Sequence, residues 1–194
     1  MIPLWLKITY TIMTVIVVIF YYAQYGLRNF LWFSDIALLA TVPALWLESS
    51  LLASMMAVGV LLPEAVWNAS FFGQLLTGKH QGGLTDYMFD AQKEPLHLRL
   101  LSLFHVVLPP LLVWMIYRLG YAEDALPAQT ALAWIVLPLS YWLTDPKENV
   151  NWVFGLGSRT RRLMPPRVYV FALMIALPLC VYLPTHLLLR ALFG

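Results

Sequence analysis

Residues 97–119 read HLRLLSLFHVVLPPLLVWMIYRL, and from Leu100 to Tyr117 the stretch holds no Asp, Glu, Lys or Arg. About twenty apolar residues is the length of a helix that crosses the hydrocarbon of a bilayer. The segment therefore reads as a membrane span with one imidazole, His105, inside it. Working outward, comparable runs lie near residues 3–24, 30–48, 51–77, 128–144 and 167–192. The chain predicts an all-α, polytopic transmembrane helical bundle of about six spans, a single integral membrane domain over residues 1–194. The third span carries Pro63, Glu64, Asn68 and Gln74 and is expected to kink at Pro63.

The composition excludes an ordinary soluble domain. The 194 residues are 61% hydrophobic and 11% charged, whereas soluble domains carry about a quarter charged residues. The net charge is only +2, and the basic residues are scattered, so no basic face suits nucleic acid. The run from Met1 to Tyr22 has no basic cluster before it and no small-residue cleavage site after it, and is expected to be a retained first span. Cys180, the one cysteine, permits no intrachain disulfide and reads as a small packing residue in an apolar run.

Six spans would place both termini and the loops after spans 2 and 4 on one side. Nine basic residues then fall on the other side: Arg28, Lys79, Lys93, Arg99, Lys147, Arg159, Arg161, Arg162 and Arg167. Only Lys7, Arg118 and Arg190 fall on the first. The positive-inside rule makes the richer side cytoplasmic and puts the N- and C-termini on the non-cytoplasmic side. Two long loops, 78–95 and 145–166, then face the cytoplasm, where long loops often carry function.

Ionisable groups within a span cost about 2.5 to 3.5 kcal/mol each on insertion scales, so each prompts a functional reading. On this topology Ser34 and Asp35 lie one to two turns below the cytoplasmic boundary, and His105 lies about 12 Å in. Asn68 is expected at the level of His105 and Glu64 about one turn nearer the middle. Asn149 and Asn151 follow at the cytoplasmic end of span 5. His186, toward the outer end of span 6, stands apart from this set.

The set allows nucleophilic chemistry. Ser34 would be the nucleophile and His105 its general base, with Asp35, Asn68, Asn149 or Asn151 as orienting or oxyanion-binding groups. Glu64 and Asn68 would join Asn149 and Asn151 in holding a substrate. Structural roles stand beside these. Ser34 heads a stripe of small residues, Ala37, Thr41 and Ala44, suited to close helix packing. Asp35 could pair with Arg28 or Arg99, and Glu64 with Asn68 could satisfy carbonyls freed by the proline kink. Ser34 and Asp35, about 100° apart on a helix, are not expected to face the same way. The four histidines form neither HxxxH nor HExxH, so no metal is expected. The glycines of HQGG (80–83) and GLGS (155–158) lack the flanking strand and helix of a phosphate loop, and no cofactor is expected.

Three stretches carry a resemblance: NFLWFSDIALLATVPALWLESSLLASMMAVGVLLPE (29–64), LFHVVLPPLLVWMIYRLGY (103–121) and TDPKENVNWVFG (144–155). Together they resemble a group of bacterial six-span proteins described only as membrane-associated, which implies a multi-pass protein of the bacterial inner (cytoplasmic) membrane. The order of elements is also similar, more remotely, to the YwaF/ADTRP-type integral membrane families, which include lipid hydrolases and acyltransferases. Those place a Cys or Thr nucleophile early in one span and a histidine in a later one. The YwaF branch follows with an Asn-aromatic motif. The resemblance implies Ser34 of SDIALL as nucleophile, His105 of LFHVV as base and Asn151 of NWVFG in the last motif. Serine replaces the expected Cys or Thr, and Asp35 is the other residue that can occupy that position, which would remove the nucleophile.

The expected function is acyl transfer or hydrolysis on lipid acyl esters in a cytoplasm-facing intramembrane pocket, with membrane lipids as partners. The alternative is a non-enzymatic accessory or binding subunit whose loop 145–166, through Arg159, Arg161, Arg162 and Arg167, meets anionic headgroups or a protein partner. A transporter is the least favoured reading, since the outer half of the bundle offers few polar groups beyond Glu48 and His186.

Overall fold

The computed structural model describes residues 1–79, 83–156 and 164–194. Among the described residues every regular element is helical. The helices are α1 (Leu4–Tyr25), α2 (Phe33–Trp46), α3 (Ser50–Thr77), α4 (Leu96–Leu101), α5 (Phe104–Leu119), α6 (Ala125–Leu143), α7 (Pro166–Leu177) and α8 (Leu183–Phe193). A π-helical segment, Pro178–Tyr182, joins the last two. Five stretches are long and apolar enough to cross a membrane: Leu4–Tyr25, Ser50–Thr77, Leu96–Leu119, Ala125–Leu143 and Pro166–Phe193. The architecture is that of a multi-pass membrane protein.

The second expected span differs from the reading near 30–48. Its helix, α2, has 14 residues, about 21 Å of rise against a hydrocarbon core of about 30 Å. Two turns bound it. Gly26, at φ +74°, ends α1 and lets the chain reverse into a short 3-10 turn over Leu27–Leu31. At the other end Glu48, at φ +49°, turns the chain into α3, whose first turn is capped by Ser49 Oγ accepting the Leu52 amide at 3.2 Å. α3 stays helical across Pro63 and ends at Gly78, in the left-handed conformation, whose amide donates to Gln74 O.

α3 is the central element. It packs against α2, α5 and α6 and also meets α8. α2 is the most enclosed, with Ala37, Leu38, Thr41, Ala44 and Leu45 fully buried. The small residues that lead from Ser34 do serve close packing, as Ala37, Thr41 and Ala44 lie in this buried face. α1 and α7 present Trp5, Ile12, Ile19, Val168 and Phe171 outward, as lipid-facing helices do. Cys180 is exposed, a correction to its reading as a packing residue, because the π-helical turn aims it out of the bundle.

One end of the bundle is tied by polar contacts. Glu48 accepts from the Ile2 amide at 3.0 Å and from Lys7 Nζ at 2.8 Å, Arg118 donates to Met1 O, and Arg190 pairs with Glu123. His186 belongs here, bonded through Nδ1 to the Tyr121 hydroxyl at 2.6 Å.

Prolines inside the helices leave carbonyls without donors, because residue i has no N–H for the oxygen of residue i−4. Neighbouring side chains replace two of them. Pro178 deprives Met174 O, which accepts instead from the Trp134 indole at 2.9 Å. Pro109 deprives His105 O, which accepts from Asn68 Nδ2 at 2.8 Å. In lipid, where water cannot do this, such substitution is required.

Candidate functional site

At the end of the bundle opposite Glu48, the short α2 leaves space beneath its first turn. The end of α1, the middle of α3, the α4–α5 junction and the loops around residues 84–94 and 147–152 close around a cavity of about 700 Å³. Ser34, Asp35, Glu64, His105 and Asn151 all line it. Aromatic side chains are the largest group in the remaining wall, among them Tyr21, Tyr25, Trp32, Trp67, Tyr87 and Trp152.

The span expected near 97–119 is long and apolar enough to cross a membrane, and it is interrupted at the α4–α5 junction. α4 ends at Leu101, and the chain tightens through Ser102 and Leu103 before α5 begins. Its bonds shorten to the 3-10 pattern, with the His105 amide on Ser102 O at 3.2 Å and the Val106 amide on Leu103 O at 2.9 Å. His105 therefore stands in the first turn of α5, beside the break.

His105 Nδ1 lies 2.8 and 2.9 Å from the two carboxylate oxygens of Glu64. The side chains are 14% and 4% exposed, so the pair is largely withdrawn from water. With the carboxylate ionised and the ring neutral, Nδ1 carries the N–H and the lone pair is at Nε2. The ring also stacks with Trp67 at 4.6 Å and Phe104 at 4.1 Å between centroids. The imidazole is thus held by a carboxylate and two aromatic faces.

Asn68 is not among the residues that line the cavity. Its amide nitrogen donates to Glu64 O and to His105 O, both at 2.8 Å. The structural reading, in which Asn68 satisfies freed carbonyls, holds, although the carbonyl is freed by Pro109 on the facing helix rather than by Pro63. Asn68 thereby fixes α3 and α5 at the height where Glu64 meets the imidazole.

Ser34 and Asp35 both line the cavity, contrary to the expectation that a 100° step would separate them. They stand in the first turn of α2, at the floor of the hollow, where a helix end rather than a helix side meets the space. Neither Arg28 nor Arg99 pairs with Asp35; Arg99 donates to Met88 O instead. Asp35 is 3% exposed, accepts one bond from Asn29 Nδ2 at 3.3 Å, and has no partner for Oδ1. No hydrogen bond joins Ser34 to His105 among the described residues. The amides of Ser34 and Asp35, being in the first turn, have no acceptor within the helix. Helix N-termini of this kind stabilise negative charge.

Asn149 and Asn151 each hold backbone in place, and Asn151 also lines the cavity. Both occupy left-handed backbone, at φ +48° and +51°. Asn149 closes its own loop, accepting the Phe154 amide at 2.8 Å and donating to Gly155 O. Asn151 accepts the Phe33 amide at 3.0 Å and donates to Leu31 O and Ser140 Oγ. Its amide is spent on fixing the start of α2 against α6.

Sequence reasoning missed the aromatic wall and Glu94; Tyr87 and Glu94 come from the acidic and aromatic loop 78–95, whereas the other aromatics named come from α1, α3 and the segments around Trp32 and Trp152. Burial pushes the Tyr87 phenol up to about 12. Ser102 bonds the Tyr21 hydroxyl at 2.7 Å. Lys147 and Glu148 stand exposed at the rim. Among the described residues no three His, Cys, Asp or Glu side chains are grouped to hold a metal. Arg159, Arg161 and Arg162, and parts of the HQGG and GLGS stretches, lie outside the described residues; Arg167 opens α7 and is exposed. No known protein family, curated protein or solved structure matches the chain.

Proposed function

We propose that the cavity performs acyl transfer or hydrolysis on a lipid ester, with Ser34 as nucleophile, His105 as general base and Glu64 as the group that orients the base. The observation that carries this is the Glu64 carboxylate on His105 Nδ1, which leaves Nε2 as the basic nitrogen in a cavity that Ser34 also lines. Ser34 Oγ would attack the ester carbonyl while His105 Nε2 takes its proton. The C–O bond then breaks, the alcohol leaves with that proton, and an acyl-Ser34 ester remains. Water completes hydrolysis; a second lipid hydroxyl completes transfer. The unpaired first-turn amides of α2 suit the transient oxyanion. In place of Asp35, Asn68 or Asn151, Glu64 takes the orienting role.

In this reading the bundle crosses a bacterial inner membrane about six times, with both termini outside and the cavity facing the cytoplasm. Nine basic residues against three support that orientation. A site one or two turns below the headgroups is reached sideways from the leaflet, which suits a lipid. The resemblance to the YwaF/ADTRP-type families supports the same chemistry, with serine in the nucleophile position.

A fluorophosphonate probe on purified protein tests this. Labelling of wild type that is lost in Ser34→Ala and His105→Ala, both folded, is the expected result; absence of labelling in folded wild type overturns it. A second reading, a lipid-binding accessory subunit, is favoured by one observation, the lack of any bond between Ser34 and His105. It is the conclusion if lipid is retained but no serine reacts.

A further inference from the structure

Four carboxylates line the cavity, Asp35, Glu64, Glu94 and Glu148, against one lysine and one histidine. Their situations differ. Glu64 is engaged by His105. Glu148 and Lys147 are adjacent and exposed at the rim, where water screens both. Asp35 lies inside, almost wholly buried, with one long hydrogen bond and no cation beside it. Its Oδ1 is unpartnered, and so is Glu94 Oε2.

A buried carboxylate that lacks donors is costly and is stabilised by a proton or by a cation. The wall decides which cation suits. Trp32, Trp67, Trp152, Tyr21, Tyr25 and Tyr87 surround the space, and Trp32 meets Trp152 edge to face at 5.7 Å. Aromatic faces attract organic ammonium ions through their quadrupoles and do so most strongly where water is excluded. A metal ion would want more oxygen ligands than Asp35 and Asn29 supply.

We propose that the cavity receives an ammonium group, primary or quaternary, with Asp35 as its counter-ion and the aromatic wall as its cage. The inference rests on the reading of the cavity as a lipid site and names the headgroup class, that of aminolipids such as phosphatidylethanolamine and phosphatidylcholine. A free amine offers the same chemistry, so the test must separate the two.

The experiment is native mass spectrometry of the full-length protein released from nanodiscs that hold equal phosphatidylethanolamine, phosphatidylcholine and phosphatidylglycerol. Parallel samples in phosphatidylglycerol alone receive free ethanolamine or choline. Wild type is expected to retain an aminolipid over phosphatidylglycerol by about tenfold. Asp35→Asn loses that preference, whereas Arg190→Gln, at the other end of the bundle, keeps it. Retention of the free amines without the lipids assigns the site to a soluble amine and overturns the headgroup assignment. No preference in wild type overturns the proposal without need of any variant. An unchanged preference in folded Asp35→Asn does the same. Because retention needs no turnover, a preference without probe labelling removes the catalytic reading and leaves this one, and labelling without a preference does the reverse.

Discussion

Asn68 of α3 donates to the backbone oxygen of His105 at 2.8 Å, the oxygen that Pro109 deprives of its helical donor. The proline that loosens α5 and the asparagine that mends it come from different helices, so the repair is also a weld. Removing the amide leaves a half-buried carbonyl unpaired, which costs about 1 to 3 kcal/mol. Asn68→Leu is expected to lower the thermal midpoint in detergent and to weaken probe labelling with it. An unchanged midpoint would show that the carbonyl finds another donor.

Glu64→Gln and Glu64→Leu separate orientation from stability. Glutamine still offers an oxygen to His105 Nδ1, so the protein folds, but an uncharged partner stabilises the imidazolium poorly. Labelling should slow by about two orders of magnitude or more. Leucine leaves the imidazole with no partner, and breaking a buried pair this way costs about 3 kcal/mol. Wild-type labelling by Glu64→Gln would remove Glu64 from the orienting role.

The two asparagines of the 144–155 loop should respond differently to the same change. Asn151→Gly keeps the left-handed backbone but loses two hydrogen bonds at the start of α2 and one to Ser140 of α6, about 2 kcal/mol or more in all. Asn149→Gly loses only contacts within its own loop and should be milder. Equal effects on the thermal midpoint would contradict the assignment of Asn151 to the anchoring of α2.

Glu48 makes stability depend on acid. The hydrogen bond from Lys7, and then that from the Ile2 amide, hold its carboxyl below the ordinary range. A depressed folded-state pKa means that its contribution is complete above the ordinary carboxylate pKa of about 4.3. It is lost as pH falls through the lower, folded value. The midpoint of wild type should therefore drop on acidification below about pH 4 by more than that of Glu48→Gln. Parallel curves would show that the Lys7 contact is not kept in solution.

The helical, membrane-spanning character was legible because it depends on summed apolar length, which any window of the sequence reports. The break at Ser102–Leu103 was not, since its composition is as apolar as the helices on either side. Among site residues, Ser34, Asp35, Glu64 and His105 were picked out by being polar within apolar runs, and they share one cavity. Their partnerships were hidden. Glu64 was placed a turn away from His105, and only the side-chain conformations, set by packing with Trp67 and Phe104, bring the ring to the carboxylate. Asn149 and Asn151 looked like free amides; the available signal was asparagine's tolerance of left-handed backbone, which marks turns that consume the side chain.

The shortness of α2 has a spatial consequence. A helix of 14 residues falls about 9 Å short of the hydrocarbon thickness, and the cavity lies at its first turn, where Ser34 and Asp35 line it. The depth of that floor is set by where Gly26 ends one helix and Phe33 begins the next. Chain-length changes between those two residues, more than substitutions in the wall, would tune how bulky a guest the bundle can admit.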